Sequence, residues 1–110
     1  MNNIQKTEDW IMMALEDHGE SKTDFKDGRF PSSVFHAQQC TEKALKGLVT
    51  FFGIAHEKTH FPSEIYNEEK ADELIKYSIE ILNLLFLFFS SIKTQKMDKL
   101  AGEISKCLKK

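Results

Sequence analysis

The sequence predicts an all-α fold, an antiparallel bundle of four to five helices that forms one domain over residues 1–110. Composition is the first reason, because only two prolines and five glycines interrupt a chain rich in leucine, isoleucine, lysine and glutamate. Apolar residues that recur at helical spacing are the second reason. A chain of this length can bury one hydrophobic core but not two, so a single domain is expected.

Four helices can be placed from caps and turns. The first is predicted over about residues 8–25 with Thr7 as its N-cap, and residues 26–31 form a turn that contains Gly28. The second covers about 32–52 with Gly53 past its end, the third about 68–92, and the fourth about 96–108. The third is apolar nearly all round, so a homodimer that buries it is expected.

The second helix carries two faces of different character. Its apolar face is expected to meet the core and consists of Ala37, Thr41, Ala44, Leu45, Leu48 and Phe52. The opposite side is polar and consists of Gln39, Lys43, Lys46 and Thr50. A solvated surface is the ordinary interpretation of such lysines. A phosphate-binding or partner-docking surface is the functional alternative, because lysine provides a mobile positive charge.

Charge and cysteine usage limit the class of protein. The net charge of −2 gives no overall basic field for long nucleic acid, although a local patch remains possible. Cys40 and Cys107 lie far apart without metal-binding spacing, which favours free, buried thiols in a reducing cytoplasm. The amino-terminal residues lack the pattern of a signal peptide, and no apolar run is long enough for a membrane. A cytoplasmic protein that does not enter the membrane is therefore expected.

A longer pattern joins the first two helices to a Thr-His pair. Trp10 and Ala14 are followed by the segment AQQCTEKALKG at 37–47 and then by Thr59 and His60. In this pattern the chain resembles the HEPN family of small helical domains. The resemblance implies a dimeric helical bundle that binds RNA or a nucleotide and pairs with a nucleotidyltransferase in a toxin–antitoxin or defence-type system. Toxin and antitoxin roles stay open. The binding residues would be Gln39, Lys43, Lys46 and His60.

Active members of that family cleave RNA without a metal or other cofactor, through an arginine followed within two helical turns by a histidine. A metal-independent ribonuclease acting as a homodimer is therefore the alternative function. Arg29 and His36 have suitable spacing, with six residues between them. They depart from the family in position, because the motif is expected in the later helices and Pro31 interrupts the segment. No arginine follows Arg29.

The segment after the second helix also spells a zinc-protease pattern. His56, Glu57 and His60 fit HExxH, in which two histidines one turn apart bind zinc and the glutamate activates water. A zinc-dependent hydrolase with His56 and His60 as ligands is the second alternative. Gly53 and Pro62 leave room for at most about two helical turns, which is poor context for such a motif. A site without metal is the preferred interpretation.

Overall fold

The computed structural model describes residues 3–55 and 65–110, and this part of the chain forms four α-helices. They are α1 (Asn3–Lys26), α2 (Phe30–Phe51), α3 (Glu68–Ser90) and α4 (Gln95–Leu108). The predicted all-α bundle is confirmed. No helix in the described ranges is both long and apolar enough to cross a membrane.

The four helices form two hairpins. In the first hairpin α1 and α2 are antiparallel, because Asp24 contacts Arg29 beside the turn and Ile11 faces Gly47 at the other end. Residues 91–94 reverse the chain between α3 and α4 in the second hairpin. Between the two hairpins, α2 and α3 run in the same direction, because Phe51 and Phe88 lie near the carboxyl ends of their helices and their ring centroids are 5.6 Å apart. The antiparallel arrangement therefore holds within each hairpin but not between α2 and α3.

Caps and turns follow the sequence closely at most helix ends. Gly28 and Gly53 have positive φ angles of 77° and 71°, the conformation that ends α1 and α2 and that side chains disfavour. Asn67 and Thr94 accept hydrogen bonds from backbone N–H groups in the first turns of α3 and α4. The prediction of Thr7 as an N-cap was wrong. The helix begins at Asn3, and the Thr7 hydroxyl donates to the Asn3 carbonyl inside it.

The core lies among all four helices. Its fully or nearly fully buried members are Ile11, Ala14, Leu15, Cys40, Ala44, Leu82, Leu85, Phe89, Met97, Leu100, Ala101 and Ile104. The members on α4, which are Met97, Leu100, Ala101 and Ile104, lie at helical spacing and form one apolar stripe. On α2 the prediction was partly wrong: Ala37 and Ala44 are buried, but Leu45 and Phe52 are 46% and 58% exposed. The reason is that α2 turns small residues such as Ala37, Ala44 and Gly47 inward, whereas Leu45 and Phe52 lie on its outer side.

Small residues let α1 and α2 approach closely. A Cβ added at Gly47 would lie 2.7 Å from Ile11 Cδ1 and 3.3 Å from Trp10 Cβ, so no larger residue fits without movement. The Ser33 hydroxyl donates to the Ser21 carbonyl across the same interface at 2.7 Å. This close contact places the polar side chains of the two helices against one another.

Candidate functional site

A polar cluster lies at the end of the bundle where α1 turns into α2. Its centre is Asp24, which is 2% exposed. Asp24 Oδ1 accepts hydrogen bonds from Arg29 Nε at 3.1 Å and Nη2 at 2.9 Å, and Oδ2 accepts one from the Ser32 hydroxyl at 2.5 Å. The Ser32 hydrogen bond and the Arg29 guanidinium hold the pKa of Asp24 below its ordinary value against the opposing effect of burial. The carboxylate is therefore ionised near neutral pH.

A second carboxylate on α1 organises the other half of the cluster. Asp17 lies two helical turns before Asp24 and is also buried. Its Oδ1 is 2.8 Å from His36 Nδ1, and its Oδ2 accepts a hydrogen bond from Lys43 Nζ at 2.6 Å. The side chains of His36 and Lys43 remain 27% and 26% exposed. Both groups are held in place and are still reachable from solvent.

The two predicted catalytic residues meet in this cluster. The prediction that Pro31 interrupts the segment was wrong, because Pro31 lies in the first turn of α2, where proline is tolerated; Arg29 is the N-cap of that helix and His36 lies in its second turn. The Arg29 guanidinium binds Asp24, and a ring nitrogen of His36 lies within 4.8 Å of a carboxylate oxygen of the same aspartate. Arg29 is more than half exposed, with a side-chain exposure of 56%. An arginine and a histidine are thus brought to one surface.

The predicted binding residues of α2 do not form a solvated face. Lys43 binds Asp17, and Lys46 Nζ lies 5.2 Å from the centre of the Trp10 ring, a cation–π contact. Gln39 donates to Glu42 at 3.5 Å on its own helix. Thr50 is 9% exposed. The prediction that this side faces away from the bundle was wrong, because α1 packs along it.

His60, His56 and Glu57 lie outside the described residues. The fourth predicted binding residue and the HExxH pattern are therefore not placed by the structure. Their roles stay predictions from the sequence.

Comparison with known proteins connects this architecture to a family. The sequence matches the HEPN domain over residues 7–110, which is nearly all of the chain. The chain belongs to the HEPN domain family. A curated relative from Methanocaldococcus jannaschii, named "Putative toxin MJ1304", is 32% identical over 85 residues, which are 76% of this chain and 55% of the relative. The chain thus matches about half the length of that relative. No solved structure matches the chain significantly.

The acidic side of the cluster in this HEPN domain is a poor fit for a metal ion. One ligand atom each from Glu20, Asp24 and His36 lies within 4.8 Å of the other two. Both oxygens of Asp24 already accept hydrogen bonds, and Arg29 places a positive charge at one of them. A cation at Oδ1 would have to displace Arg29, and a cation at Oδ2 would lie beside the Ser32 hydrogen bond and be repelled by the nearby guanidinium. The arrangement instead supports groups that bind or transfer protons.

A second feature of the HEPN domain is a groove between α1 and α4 with a volume of about 440 Å³. His18 lines it and is 1% exposed. Its Nδ1 lies 3.0 Å from the Ser78 hydroxyl, while its Nε2 has no hydrogen-bond partner among the described residues. Burial, followed by the charge of Lys22, lowers the pKa of His18 to about 4. His18 is therefore neutral near pH 7.

Sequence reasoning missed the two aspartates that organise this candidate site. Asp17, Ser21 and Asp24 lie at helical spacing and continue the face that carries Ala14. An acidic residue on the buried face of an amphipathic helix requires a partner, since burying an unpaired charge is costly. That pattern is the signal that could have identified Asp17 and Asp24.

Proposed function

We propose that this HEPN domain is the RNA-acting component of a toxin–antitoxin or related defence-type system. The observation that carries the proposal is the meeting of Arg29 and His36 at Asp24, on a surface open to solvent. Family members with a closely spaced arginine and histidine cleave RNA, and this chain provides such a pair at an unusual place. The name of the archaeal relative also supports a toxin-type role.

The proposed chemistry needs no metal. His36 would accept the proton of a ribose 2′-hydroxyl as that oxygen attacks the adjacent phosphorus, and the bond from phosphorus to the 5′-oxygen would break. Arg29 would donate hydrogen bonds to the phosphate oxygens as negative charge develops on them. The departing 5′-oxygen needs a proton, which the equivalent histidine of a symmetric dimer would supply from its protonated, imidazolium form.

The local charge indicates how RNA would bind. Four carboxylates, Asp17, Glu20, Asp24 and Asp27, surround the cations Arg29 and Lys43. A phosphate must therefore compete with Asp24 for the Arg29 guanidinium. We infer short contacts at one or two phosphates rather than binding along an extended strand. Gln39, one turn after His36, and Lys46, one turn after Lys43, belong to the proposed RNA- or nucleotide-binding surface.

A homodimer is part of the proposal. The described residues leave large apolar side chains uncovered on two helices. On α3, Tyr77, Leu84 and Leu87 are 54%, 66% and 63% exposed. On α2, Phe35 and Leu45 are 49% and 46% exposed, and Phe52 just past its end is 58% exposed. Exposed apolar area of this kind is unfavourable in a monomer and is typical of interfaces.

The partner in the proposed system is a minimal nucleotidyltransferase, as the family resemblance implies, and the compartment is the cytoplasm. Co-expression with a nucleotidyltransferase encoded beside this chain tests the pairing. A stable complex that suppresses RNA cleavage supports it, and failure of the two proteins to copurify counts against it.

RNA cleavage in the presence of EDTA tests the activity. Wild-type protein should cleave, and Arg29→Ala and His36→Ala should each lose about 100-fold or more in rate, since each removes a transition-state contact. Lys99→Ala, which removes an exposed cation of α4, is the matched control and should keep the wild-type rate. Full activity in both site variants, or complete loss with EDTA, would refute the proposed site.

Light scattering tests the dimer. Wild-type protein at micromolar concentration should have twice the monomer mass, and Leu84→Glu together with Leu87→Glu should give a folded monomer because charges on the apolar surface oppose association. Lys99→Glu changes charge on another helix and should stay dimeric. A monomeric wild type would rule out the proposed dimer.

A further inference from the structure

Asp17 connects the proposed catalytic residue to the proposed binding surface. It lies on α1, is 8% exposed, and uses its two carboxylate oxygens for two different partners on α2. One oxygen faces His36 Nδ1 at 2.8 Å and the other accepts from Lys43 Nζ at 2.6 Å. The partners are seven residues apart, which is two helical turns, so one carboxylate spans the same side of α2.

The contact with Asp17 determines which ring nitrogen of His36 carries the hydrogen. An ionised carboxylate can only accept hydrogen bonds, so Nδ1 of a neutral His36 must carry the hydrogen. The lone pair is then on Nε2, at the other side of the ring. A general base needs an unprotonated nitrogen directed at the substrate.

We propose that Asp17 is the positioning residue of the site: it holds His36 in the tautomer whose Nε2 can accept a proton from RNA. This inference rests on the function proposed above. Asp17 itself would not contact the substrate. Its effect would pass entirely through the orientation and tautomer of His36.

Lys43 should determine how the amide of Asp17→Asn is oriented. In Asp17→Asn, the amide has one accepting oxygen and one donating nitrogen. Lysine can only donate, so the amide oxygen should turn to Lys43 and the amide nitrogen should face His36. His36 Nδ1 must then accept, and the hydrogen must move to Nε2. The variant should therefore hold the tautomer that cannot act as a base.

Removing the lysine should reverse this change. In Asp17→Asn with Lys43→Met, no donor claims the amide oxygen, which can turn to accept from His36 Nδ1. The original tautomer should return. If the Asp17 carboxylate only linked α1 to α2 through its ion pair with Lys43, the double variant should not recover, because it has lost both charges of that pair.

The experiment combines NMR and kinetics on the full chain. Ring-nitrogen chemical shifts of His36 at about pH 8, where an ordinary histidine is neutral, report the tautomer without any need for activity. Asp17→Asn should shift the hydrogen to Nε2 and lower kcat about 100-fold with little change in KM, as expected for loss of a general base. The double variant should regain most of kcat. Asp72→Asn, which breaks the exposed Asp72–Lys76 pair of α3, is the matched control and should leave both unchanged.

The outcomes separate the inference from the function on which it rests. An unchanged His36 tautomer in Asp17→Asn, or a double variant whose kcat is no higher than that of the single variant, would overturn the positioning role; because Lys43 belongs to the proposed binding surface, a raised KM of the double variant is expected. The variants could show the predicted tautomer changes while the wild-type protein cleaves no RNA. That result would support the role of Asp17 and refute only the ribonuclease proposal.

Discussion

Acidification should destabilise this domain through His18. The imidazole is 1% exposed, and burial followed by the charge of Lys22 lowers its pKa from 6.5 to about 4. In the unfolded chain the same histidine has its ordinary pKa. Because the unfolded state takes up the proton first, the stability from neutral His18 is complete above pH 6.5 and declines as the pH falls towards 4.

The size of this loss in stability follows from the difference between the folded-state and unfolded-state pKa of His18. Each pKa unit corresponds to about 1.4 kcal/mol, so His18 should remove roughly 3 kcal/mol of unfolding free energy across this range. Such a loss is a large part of the stability of a small domain, which is roughly 5–15 kcal/mol. Below about pH 4 the contribution of His18 should no longer change.

Urea unfolding followed by Trp10 fluorescence at several pH values measures the effect. His18→Asn keeps a group that can contact the Ser78 hydroxyl but cannot gain a charge, so its stability should decline less between about pH 6.5 and pH 4. His36→Asn removes a partly exposed histidine and should retain the His18-dependent decline. Parallel pH profiles for wild type and His18→Asn would refute the reasoning.

Two further predictions concern the contact of α1 with α2. Gly47→Ala should destabilise the fold by about 1–2 kcal/mol in urea unfolding, because its Cβ would lie 2.7 Å from Ile11 Cδ1. Gly102→Ala on α4, where nothing lies within 4 Å of the added Cβ, should instead stabilise the fold by about 0.5–1 kcal/mol. Equal effects at both positions would contradict the close packing of α1 and α2. Asp24→Asn should cost about 2 kcal/mol at neutral pH through weaker hydrogen bonds to Arg29 and Ser32. Since the folded-state pKa of Asp24 is lowered, that difference should shrink as the pH falls through the acid range, and a constant difference in unfolding free energy would contradict it.

The sequence predicted local features well because their causes are local. Gly28, Gly53 and the start of α3 at Glu68 follow from backbone and capping preferences within a few residues. The stripe of α4 follows from helical periodicity. These features do not depend on which helix packs against which.

The site was harder to predict because it depends on pairing between helices. Nothing near Lys43 in the sequence indicates that its partner is Asp17, 26 residues earlier. The faces of α2 were assigned from hydrophobicity, yet α1 packs against small and polar residues such as Gly47 and Thr50, while Leu45 points outward. Arg29 and His36 were recognised by spacing, but their common contact with the region of Asp24 required the structure.

The shared direction of α2 and α3 has a consequence for the order of folding. Contacts within the first hairpin, such as Asp24 with Arg29, close short loops and lose little chain entropy. The contact of Phe51 with Phe88 joins residues far apart in the chain and closes a much longer loop. The first hairpin should therefore be the folding nucleus, and the cluster of Phe51, Phe52, Phe88 and Phe89 should form after the rate-limiting step. Weakening that cluster would then speed unfolding and leave the folding rate nearly unchanged.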